Sequence, residues 1–274
     1  MNFLFRFLLL LLPVLIHAQE LNYKQKSNIP YHEILKDPSS EYQKEMALLD
    51  ISYPDTDKKV PVIIWFHGGG LTGGEKEIPE QLTRKGYCIV GVGYRLSPKV
   101  KAKTSVRDAA GAIAWVLRNI SKYNGDPSQI FVSGHSAGGY LALMSVLNKS
   151  FLKEYDLDAN QIAGLIPFSD HTITHFTIRK EQGIPGEQPI IDPWAPLYHV
   201  RGDAPPILLI TGDRELEMLG RYEENAYFYR MMKINGQKDI KIYEMDGYGH
   251  GMTHPAFPLL LDFVKSKMGS NQKM

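Results

Sequence analysis

The sequence predicts an α/β fold, a doubly wound, mostly parallel sheet with helices on both faces and a small cap segment. Strand-like apolar runs alternate with helix-like segments along the chain, which is typical of β-α-β units. Residues 87–92 are apolar without interruption, as expected for a strand covered on both faces. Residues 104–120 carry apolar side chains at three- and four-residue spacing, which indicates an amphipathic helix.

The first 18 residues are predicted to be a cleaved secretory signal peptide. Arg6 precedes an apolar stretch at residues 7–16, and Ala18 is the small residue that signal peptidase prefers. The stretch is too short to span a bilayer. We therefore expect a secreted or periplasmic protein with no stable membrane insertion after cleavage, and an uncleaved anchor is the alternative.

Residues 19–45 are predicted to form an N-terminal arm, and residues 46–274 a single domain. The arm is polar, lacks a sustained period and is expected to be extended up to residue 40. Apolar runs in the domain predict strands at residues 46–51, 60–64, 87–92, 130–132, 162–166, 207–210 and 240–243. Helical patterns are found at residues 78–85, 104–120, 139–144, 222–234 and 257–268.

An irregular segment at residues 168–198 is rich in Pro, Gly, Thr and His. A stretch of that length without a period, inside a compact domain, usually forms a cap or a binding loop. We therefore expect a cap or binding insertion between the strand at 162–166 and the strand at 207–210.

Composition excludes several classes of function. The chain has 31 Lys and Arg against 30 Asp and Glu, a net charge of +1, and no basic cluster. Neither nucleic acid nor an acidic membrane surface is therefore indicated as a partner. Cys88 is the single cysteine, so an internal disulfide is excluded and a small buried hydrophobic residue is expected. No spaced set of Cys and His predicts a metal site.

The most informative motif is Gly-His-Ser-Ala-Gly at residues 134–138. It follows the strand-like run at 130–132 and precedes the helix-like run at 139–144, which is the context of a nucleophile elbow. Such a turn is so tight that the positions two before and two after the serine require glycine. Ser136 is therefore the candidate nucleophile, although the pentapeptide alone is common in proteins without this function.

A second motif, His-Gly-Gly-Gly at residues 67–70, follows the apolar run at 60–64. Three consecutive glycines can form a flexible loop, or they can leave backbone N–H groups free to bind an oxyanion together with the N–H of Ala137. The separation of the two motifs leaves room for the intervening strands and helices of an α/β sheet, which favours the second interpretation. His67 is expected to brace the loop by hydrogen bonds.

A serine nucleophile needs a base, and the base needs a carboxylate that orients it. His250 lies in a glycine-rich loop between the last predicted strand and the last predicted helix, so it is the predicted base. His135 is expected to pack beside the serine. His171, His175 and His199 belong to the cap and are expected to contact substrate or solvent.

Two carboxylates qualify as the orienting acid, because Asp213 and Glu215 both follow the strand at 207–210. A carboxylate close to a strand end tends to be held by backbone amides, whereas one two residues further on can turn towards the histidine. Glu also reaches one methylene further than Asp. Glu215 is therefore the predicted acid, with Asp213 as the alternative.

These motifs resemble those of the α/β-hydrolase superfamily, in particular the hormone-sensitive-lipase-like esterases, a group with many bacterial carboxylesterases and acyl-carbohydrate esterases. The resemblance covers nearly all of the chain from residue 46 onwards. It includes Tyr-Arg-Leu-Ser-Pro at residues 94–98 and the stretches at 108–115 and 125–127. An α/β-hydrolase fold and an esterase activity without a cofactor are what this resemblance implies.

The resemblance also implies roles for individual residues. The oxyanion donors would be the N–H groups of Gly69, Gly70 and Ala137. Counting three positions from Gly212, the small residue at a strand end, again gives Glu215 as the acid. The chain departs from the family in carrying Glu where Asp is usual, and its residues 20–45 are shorter and less apolar than the helical caps of the lipid-directed members, which disfavours a bulky acyl group.

We therefore predict a secreted serine carboxylic-ester hydrolase that forms an acyl-enzyme on Ser136 and acts on a small or carbohydrate-linked ester. The expected export and the polar, aromatic character of the cap suggest that substrate. The cap residues in question are Phe168, His171, His175, Phe176, Trp194 and Tyr198. The same triad would serve an amidase, such as an arylformamidase or small peptidase, and a glycan-binding protein with a vestigial triad is the non-enzymatic alternative.

Overall fold

A computed structural model describes residues 21–37, 39–218 and 220–268. The predicted signal peptide at residues 1–18 lies outside the described residues. Within those ranges, no helix has the length and apolar character that crossing a membrane requires.

An eight-stranded sheet forms the centre of the domain, in the order β1-β2-β4-β3-β5-β6-β7-β8. The strands are β1 (Tyr23–Pro30), β2 (Leu48–Pro54), β3 (Val60–Phe66), β4 (Cys88–Val92), β5 (Gly125–His135), β6 (Gly164–Phe168), β7 (Ile207–Gly212) and β8 (Ile240–Met245). β2 is antiparallel to both of its neighbours, and the remaining pairs are parallel. The predicted mostly parallel sheet is confirmed.

Helices cover both faces of this sheet, as predicted. They are α1 (Glu41–Met46), α2 (Ala102–Asn119), α3 (Ala137–Leu147), α4 (Lys149–Lys153), α5 (Phe176–Glu181), α6 (Arg221–Ile234) and α7 (Thr253–Met268). Buried side chains of α2, α3 and α6 share one apolar cluster, whereas α7 packs on the opposite face against Trp65, Phe131 and Phe168. Burial of both faces explains why the central strands are apolar without alternation.

The register of the central strands brings the two glycine motifs to one edge of the sheet. Phe66 at the end of β3 pairs with Gly134 near the end of β5, and His135 pairs with Phe168 at the end of β6. Because these strands are parallel, the loops that follow them leave the sheet side by side. The site described below occupies this carboxyl edge.

The structure differs from the sequence-based expectation in the arm and in the predicted helix at 78–85. The predicted arm contributes β1, which pairs with β2 at the edge of the sheet, and the short helix α1. The helix predicted at 78–85 is reduced to one 3₁₀ turn at Glu80–Leu82, and Arg84, with φ of 56°, has a backbone conformation that no α-helix continues through.

The predicted cap at 168–198 contains α5 and a 3₁₀ turn at Pro196–His199, joined by irregular loops. Hydrogen bonds tie it to the domain, from Tyr140 Oη to the Trp194 carbonyl (2.7 Å) and from Ser97 Oγ to Glu181 Oε1 (2.8 Å). In this conformation the segment is therefore docked on the domain.

Candidate active site

Ser136 occupies a strained turn between β5 and α3, with φ of 54° and ψ of −116°. A Cβ atom added at Gly134 would lie 2.6 Å from the Phe66 carbonyl oxygen, and one added at Gly138 would lie 2.0 Å from the same oxygen. Only glycine fits at both positions, so the turn has the geometry of a nucleophile elbow. The serine is 8% exposed at the carboxyl edge of the sheet.

The loop after β3 presents backbone N–H groups beside the elbow. Gly69 and Gly70 have φ of 104° and 64°, and the Gly69 carbonyl accepts hydrogen bonds from the N–H of Thr72 and of Gly73, both at 3.0 Å. Thr177 Oγ1 in α5 donates to the Gly70 carbonyl at 2.5 Å. Among the described residues, no acceptor is paired with the N–H of Gly69, Gly70 or Ala137, so all three remain available as hydrogen-bond donors.

His67 braces this loop as the sequence predicted. Its Nδ1–H donates to the Gly68 carbonyl at 2.7 Å, and its ring stacks on Tyr94 with a centroid distance of 4.3 Å. Tyr94 Oη in turn donates to the His67 carbonyl at 2.7 Å. Burial lowers the pKa of His67, so its imidazole is neutral and serves a structural role.

His250 follows β8 and contacts a carboxylate through Nδ1. The partner atom is Oε1 of Glu217, at 2.7 Å. Because an ionised carboxylate only accepts hydrogen bonds, Nδ1 carries a proton, and in the neutral imidazole the lone pair is then on Nε2. His250 Nε2 has no hydrogen bond to any described residue, so this nitrogen is free to accept a proton from a nucleophile.

The Glu217 carboxylate receives two hydrogen-bond donors on each oxygen. Oε1 accepts from His250 Nδ1 and from the N–H of Met218 at 2.8 Å. Oε2 accepts from Ser169 Oγ and from the N–H of Gly212 at 3.2 Å. Burial raises the pKa of Glu217, but the hydrogen bonds from His250, Ser169 and Met218 outweigh it and bring the pKa to about 2. The carboxylate is therefore an anion at neutral pH.

The acid predicted from the sequence is wrong in this structure, because neither Glu215 nor Asp213 reaches His250. Asp213 accepts hydrogen bonds from the N–H of Glu215 and of Gly247, both at 2.9 Å, and the Glu215 side chain is exposed. The Asp213 carbonyl accepts from the N–H of Leu216 and of Glu217, which forms one helical turn. This turn directs the side chain of Glu217 back into the protein and that of Glu215 into solvent.

Ser169 is a further member of the site that sequence reasoning missed. It follows β6 directly, is fully buried, and its Oγ lies 2.9 Å from His250 Nδ1. The only signal in the sequence was a polar Ser-Asp pair immediately after an apolar strand. Such a pair lies at the carboxyl edge of the sheet, where functional side chains gather.

His135 precedes Ser136 in the elbow and packs against the ring of His250. The His135 and His250 rings have a centroid distance of 4.7 Å, and His135 Nε2–H donates to the His250 carbonyl at 2.8 Å. Burial, and then the neighbouring His250, lower the pKa of His135 to about 4. The Ser136 hydroxyl has no hydrogen bond to any described residue. Contacts of this kind often form only when substrate is bound.

Two of the three predicted cap histidines are buried, and the third, His199, is partly exposed. His175 is fully buried and His171 is 8% exposed, and Phe168 belongs to the core beneath the sheet. His171 Nδ1 contacts Glu224 Oε1 at 2.8 Å and its Nε2 accepts from Arg221 at 2.8 Å. His199 hydrogen-bonds to the Pro193 carbonyl at 2.9 Å.

Phe176 is the cap aromatic residue that packs beside Gly70. A Cβ atom added at Gly70 would lie 3.1 Å from the Phe176 ring. Phe176 and Trp194 are partly exposed and Tyr198 is 57% exposed, so these three side chains contribute aromatic surface on the cap. Within the described ranges, no group of three or more His, Cys, Asp or Glu could hold a metal ion.

The family described as BD-FAE matches residues 49–218, more than half of the chain. A probable carboxylic ester hydrolase, LipM, of Mycobacterium tuberculosis is 27% identical over 185 residues, 58% of this chain and 42% of its own. The esterase LipQ of the same organism is 26% identical over 251 residues, 81% of this chain and 56% of its own. The chain thus spans about half the length of the curated relatives it matches.

Solved structures with the same fold include a truncated carbohydrate esterase from gut microbiota. It has a TM-score of 0.74 at 19% identity and covers 91% of this chain and 98% of its own. A native thermophilic esterase of Thermogutta terrifontis has a TM-score of 0.67 at 21% identity, covering 90% of this chain and 92% of its own. These similarities confirm the α/β-hydrolase fold.

Proposed function

The chain belongs to the BD-FAE family and has an α/β-hydrolase fold, and from this premise we propose that it is a serine carboxylic-ester hydrolase acting through an acyl-enzyme on Ser136. The observation that carries the proposal is the 2.7 Å hydrogen bond between His250 Nδ1 and Glu217 Oε1, at the edge of the sheet where the elbow serine lies. The names of the Mycobacterium tuberculosis relatives support an esterase activity.

Acylation requires that the Ser136 hydroxyl lose a proton as its oxygen attacks the ester carbonyl. His250 Nε2 takes this proton, and the Glu217 anion stabilises the imidazolium that results. The N–H groups of Gly69, Gly70 and Ala137 hold the negative charge on the former carbonyl oxygen. The bond to the leaving alcohol then breaks, and His250 returns the proton to the alcohol oxygen.

Deacylation repeats these steps with water as the nucleophile. His250 removes a proton from water, the hydroxide oxygen attacks the acyl carbon, and the proton returns to Ser136 Oγ as the carboxylic acid leaves. All proton transfers use His250 and all charge stabilisation uses backbone N–H groups and Glu217. The chain's own residues therefore supply every group that this route needs.

The proposed substrate is an ester with a small acyl group, on a sugar or glycan. Phe176 packs close to Gly70, which restricts the room beside the oxyanion donors. Tyr198 and Trp194 leave aromatic surface on the cap, and sugar rings stack on such side chains. Hydrolysis of acetylated and feruloylated oligosaccharides, compared with p-nitrophenyl acetate and octanoate, would test this substrate range.

The central test is Ser136→Ala. We expect this variant to lose hydrolysis of p-nitrophenyl acetate, because the nucleophile is gone, while its far-UV circular dichroism and Tm stay close to those of the wild type. Wild-type protein should be labelled at Ser136 by a fluorophosphonate probe, and the variant should not. Activity at the wild-type level in Ser136→Ala would reject the proposal, and a higher rate on a matched anilide than on the ester would favour an amidase.

We also propose that the protein is exported, on the basis of the signal-like residues 1–18. Expression of the full chain in a bacterial host, followed by N-terminal sequencing of the extracytoplasmic protein, tests the cleavage after Ala18. Retention of Met1 in a cytoplasmic product would contradict export.

A further inference from the structure

Ser169 and Ser136 leave neighbouring strands at the same edge of the sheet. His135 pairs with Phe168, so the residues that follow them, Ser136 and Ser169, are neighbours in register. The Ser136 N–H donates to the Phe168 carbonyl at 2.8 Å, and the Ser169 N–H donates to the Ile210 carbonyl at 2.7 Å. The two serines are thus held by the ends of three adjacent strands.

The Ser169 hydroxyl contacts both partners of the histidine–carboxylate pair. Its single proton goes to Glu217 Oε2, because an ionised carboxylate only accepts. The oxygen of the same hydroxyl lies 2.9 Å from His250 Nδ1, whose proton is also directed at Glu217 Oε1 at 2.7 Å. The hydroxyl therefore fixes one carboxylate oxygen and offers a second acceptor to the Nδ1–H.

The backbone of Ser169 is unusual for a residue with a side chain. Its φ is 45°, in the left-handed region that glycine adopts without strain. Arg221, which is 1% exposed, donates to the Ser169 carbonyl, and Asn225 Nδ2 donates to the Asp170 carbonyl at 2.8 Å. The N-terminal part of α6 thereby holds the two peptide groups that follow Ser169.

Glycine would adopt this backbone conformation with less strain than serine. We therefore attribute the presence of serine here to its hydroxyl group. We propose that Ser169 is a positioning residue, whose hydroxyl holds the Glu217 carboxylate in the orientation that supports His250 as base. This inference rests on the proposed function of Ser136. Without the hydroxyl, Oε2 of Glu217 would keep only the N–H of Gly212 at 3.2 Å, and the carboxylate could rotate away from Nδ1.

Two substitutions distinguish the effect of losing the hydroxyl from the effect of the strained backbone at Ser169. Ser169→Ala removes the hydroxyl and keeps Cβ, and Ser169→Gly removes the hydroxyl and relieves the strain at φ of 45°. The matched control is Ser133→Ala, because Ser133 is also fully buried and its Oγ donates to the Ile166 carbonyl at 2.5 Å, away from His250. We expect both Ser169 variants to lower kcat for p-nitrophenyl acetate roughly 10- to 100-fold with little change in KM. The control should keep the wild-type kcat.

A spectroscopic measurement identifies the cause of this loss. The downfield proton resonance of His250 Nδ1–H should shift upfield in both Ser169 variants and stay in place in Ser133→Ala. The rate of fluorophosphonate labelling at Ser136 should fall in parallel with kcat. An unshifted resonance, or a Ser169→Gly variant that is labelled as fast as the wild type, would overturn the positioning role, even if Ser169→Ala fails to fold.

The two proposals fail in different ways. If wild-type protein is not labelled at Ser136, the proposed esterase site is wrong, and the Nδ1–H resonance of the Ser169 variants still decides whether the hydroxyl orders the His250–Glu217 pair. If wild-type protein is labelled and the Ser169 variants match it, the esterase site stands and the positioning role is wrong.

Discussion

Glu217→Gln tests the catalytic arrangement most directly. The substitution is nearly isosteric and removes the negative charge 2.7 Å from His250 Nδ1. The carboxylate has two donors on each oxygen, whereas an amide has one accepting oxygen and one donating nitrogen. Whichever way the amide points, its NH₂ group meets a backbone N–H, that of Gly212 or that of Met218.

Two magnitudes follow from this geometry. The imidazolium formed during acylation loses its anionic partner, and an equivalent change in another serine hydrolase costs kcat about 10⁴-fold, which corresponds to about 5.5 kcal/mol of transition-state stabilisation. One buried N–H is left unpaired, which costs about 1–3 kcal/mol of the free energy of unfolding. We therefore expect a folded variant with a lower Tm and almost no turnover.

The assay is kcat for p-nitrophenyl acetate at pH 8, with Tm measured on the same samples. Glu215→Gln is the matched control, because it is the same change two residues away on an exposed side chain, and it should keep kcat within about twofold. The kcat of Asp213→Asn should lie between those of Glu217→Gln and Glu215→Gln, because the Asp213 carboxylate accepts hydrogen bonds from the N–H groups of Glu215 and Gly247. A Glu217→Gln variant that keeps more than a tenth of the wild-type kcat, or a Glu215→Gln variant that falls equally far, would refute the reasoning.

Two further predictions concern stability. Gly138→Ala should lower the free energy of unfolding by at least about 3 kcal/mol in a denaturant titration, because the new Cβ would lie 2.0 Å from the Phe66 carbonyl oxygen. Gly186→Ala is the control: a Cβ there has no atom within 4 Å, so the free energy of unfolding should stay nearly unchanged. Equal effects of the two substitutions would contradict this explanation. Burial raises the pKa of Asp170 to about 7, so the folded protein loses stability as pH rises from about 4 through 7. Asp170→Asn removes this loss, so the Tm of the variant minus the Tm of the wild type should increase between pH 5 and pH 8. A Tm difference that stays constant over this range would show that Asp170 does not titrate there.

The parts of the site that sequence predicted are those fixed by short-range backbone constraints. Gly134 and Gly138 flank Ser136 because the turn leaves no room for Cβ atoms, and this requirement is visible in five consecutive residues. The loop containing Gly69 is similarly constrained, since a Cβ there would lie 2.2 Å from the Gly73 carbonyl oxygen. The sequence singles out His250 as the predicted base because it lies in the loop between the last strand and the last helix.

The acid was not predictable by counting, because its position depends on how the chain turns after β7. One helical turn between Asp213 and Glu217 directs the later residue inward, and no feature of the intervening sequence distinguishes this turn from an extended loop. The expectation that a carboxylate near the strand end is held by backbone amides agrees with Asp213. The expectation that Glu215 reaches the histidine is wrong, because its side chain is exposed and Glu217 makes the contact.

The missed strand β1 has a different cause. It is an edge strand, and almost all of its side chains are exposed to solvent. Period-two alternation arises only when one face of a strand is buried, so the polar sequence of Tyr23–Pro30 carried no strand signal. Pairing with β2 through backbone hydrogen bonds places it in the sheet.

The arrangement of the parallel strands explains how distant residues meet at one site. β3 is followed by the glycine loop, β5 by Ser136, β6 by Ser169, β7 by the turn to Glu217, and β8 by the loop to His250. These five strands are consecutive in the sheet and parallel, so each delivers one element to the same edge. The order of the strands also determines which residues are neighbours, because β6 lies between β5, which precedes the proposed nucleophile, and β7, which precedes the proposed acid. A side chain at the end of β6 therefore lies between the residues that follow β5 and those that follow β7. Ser169 occupies that position.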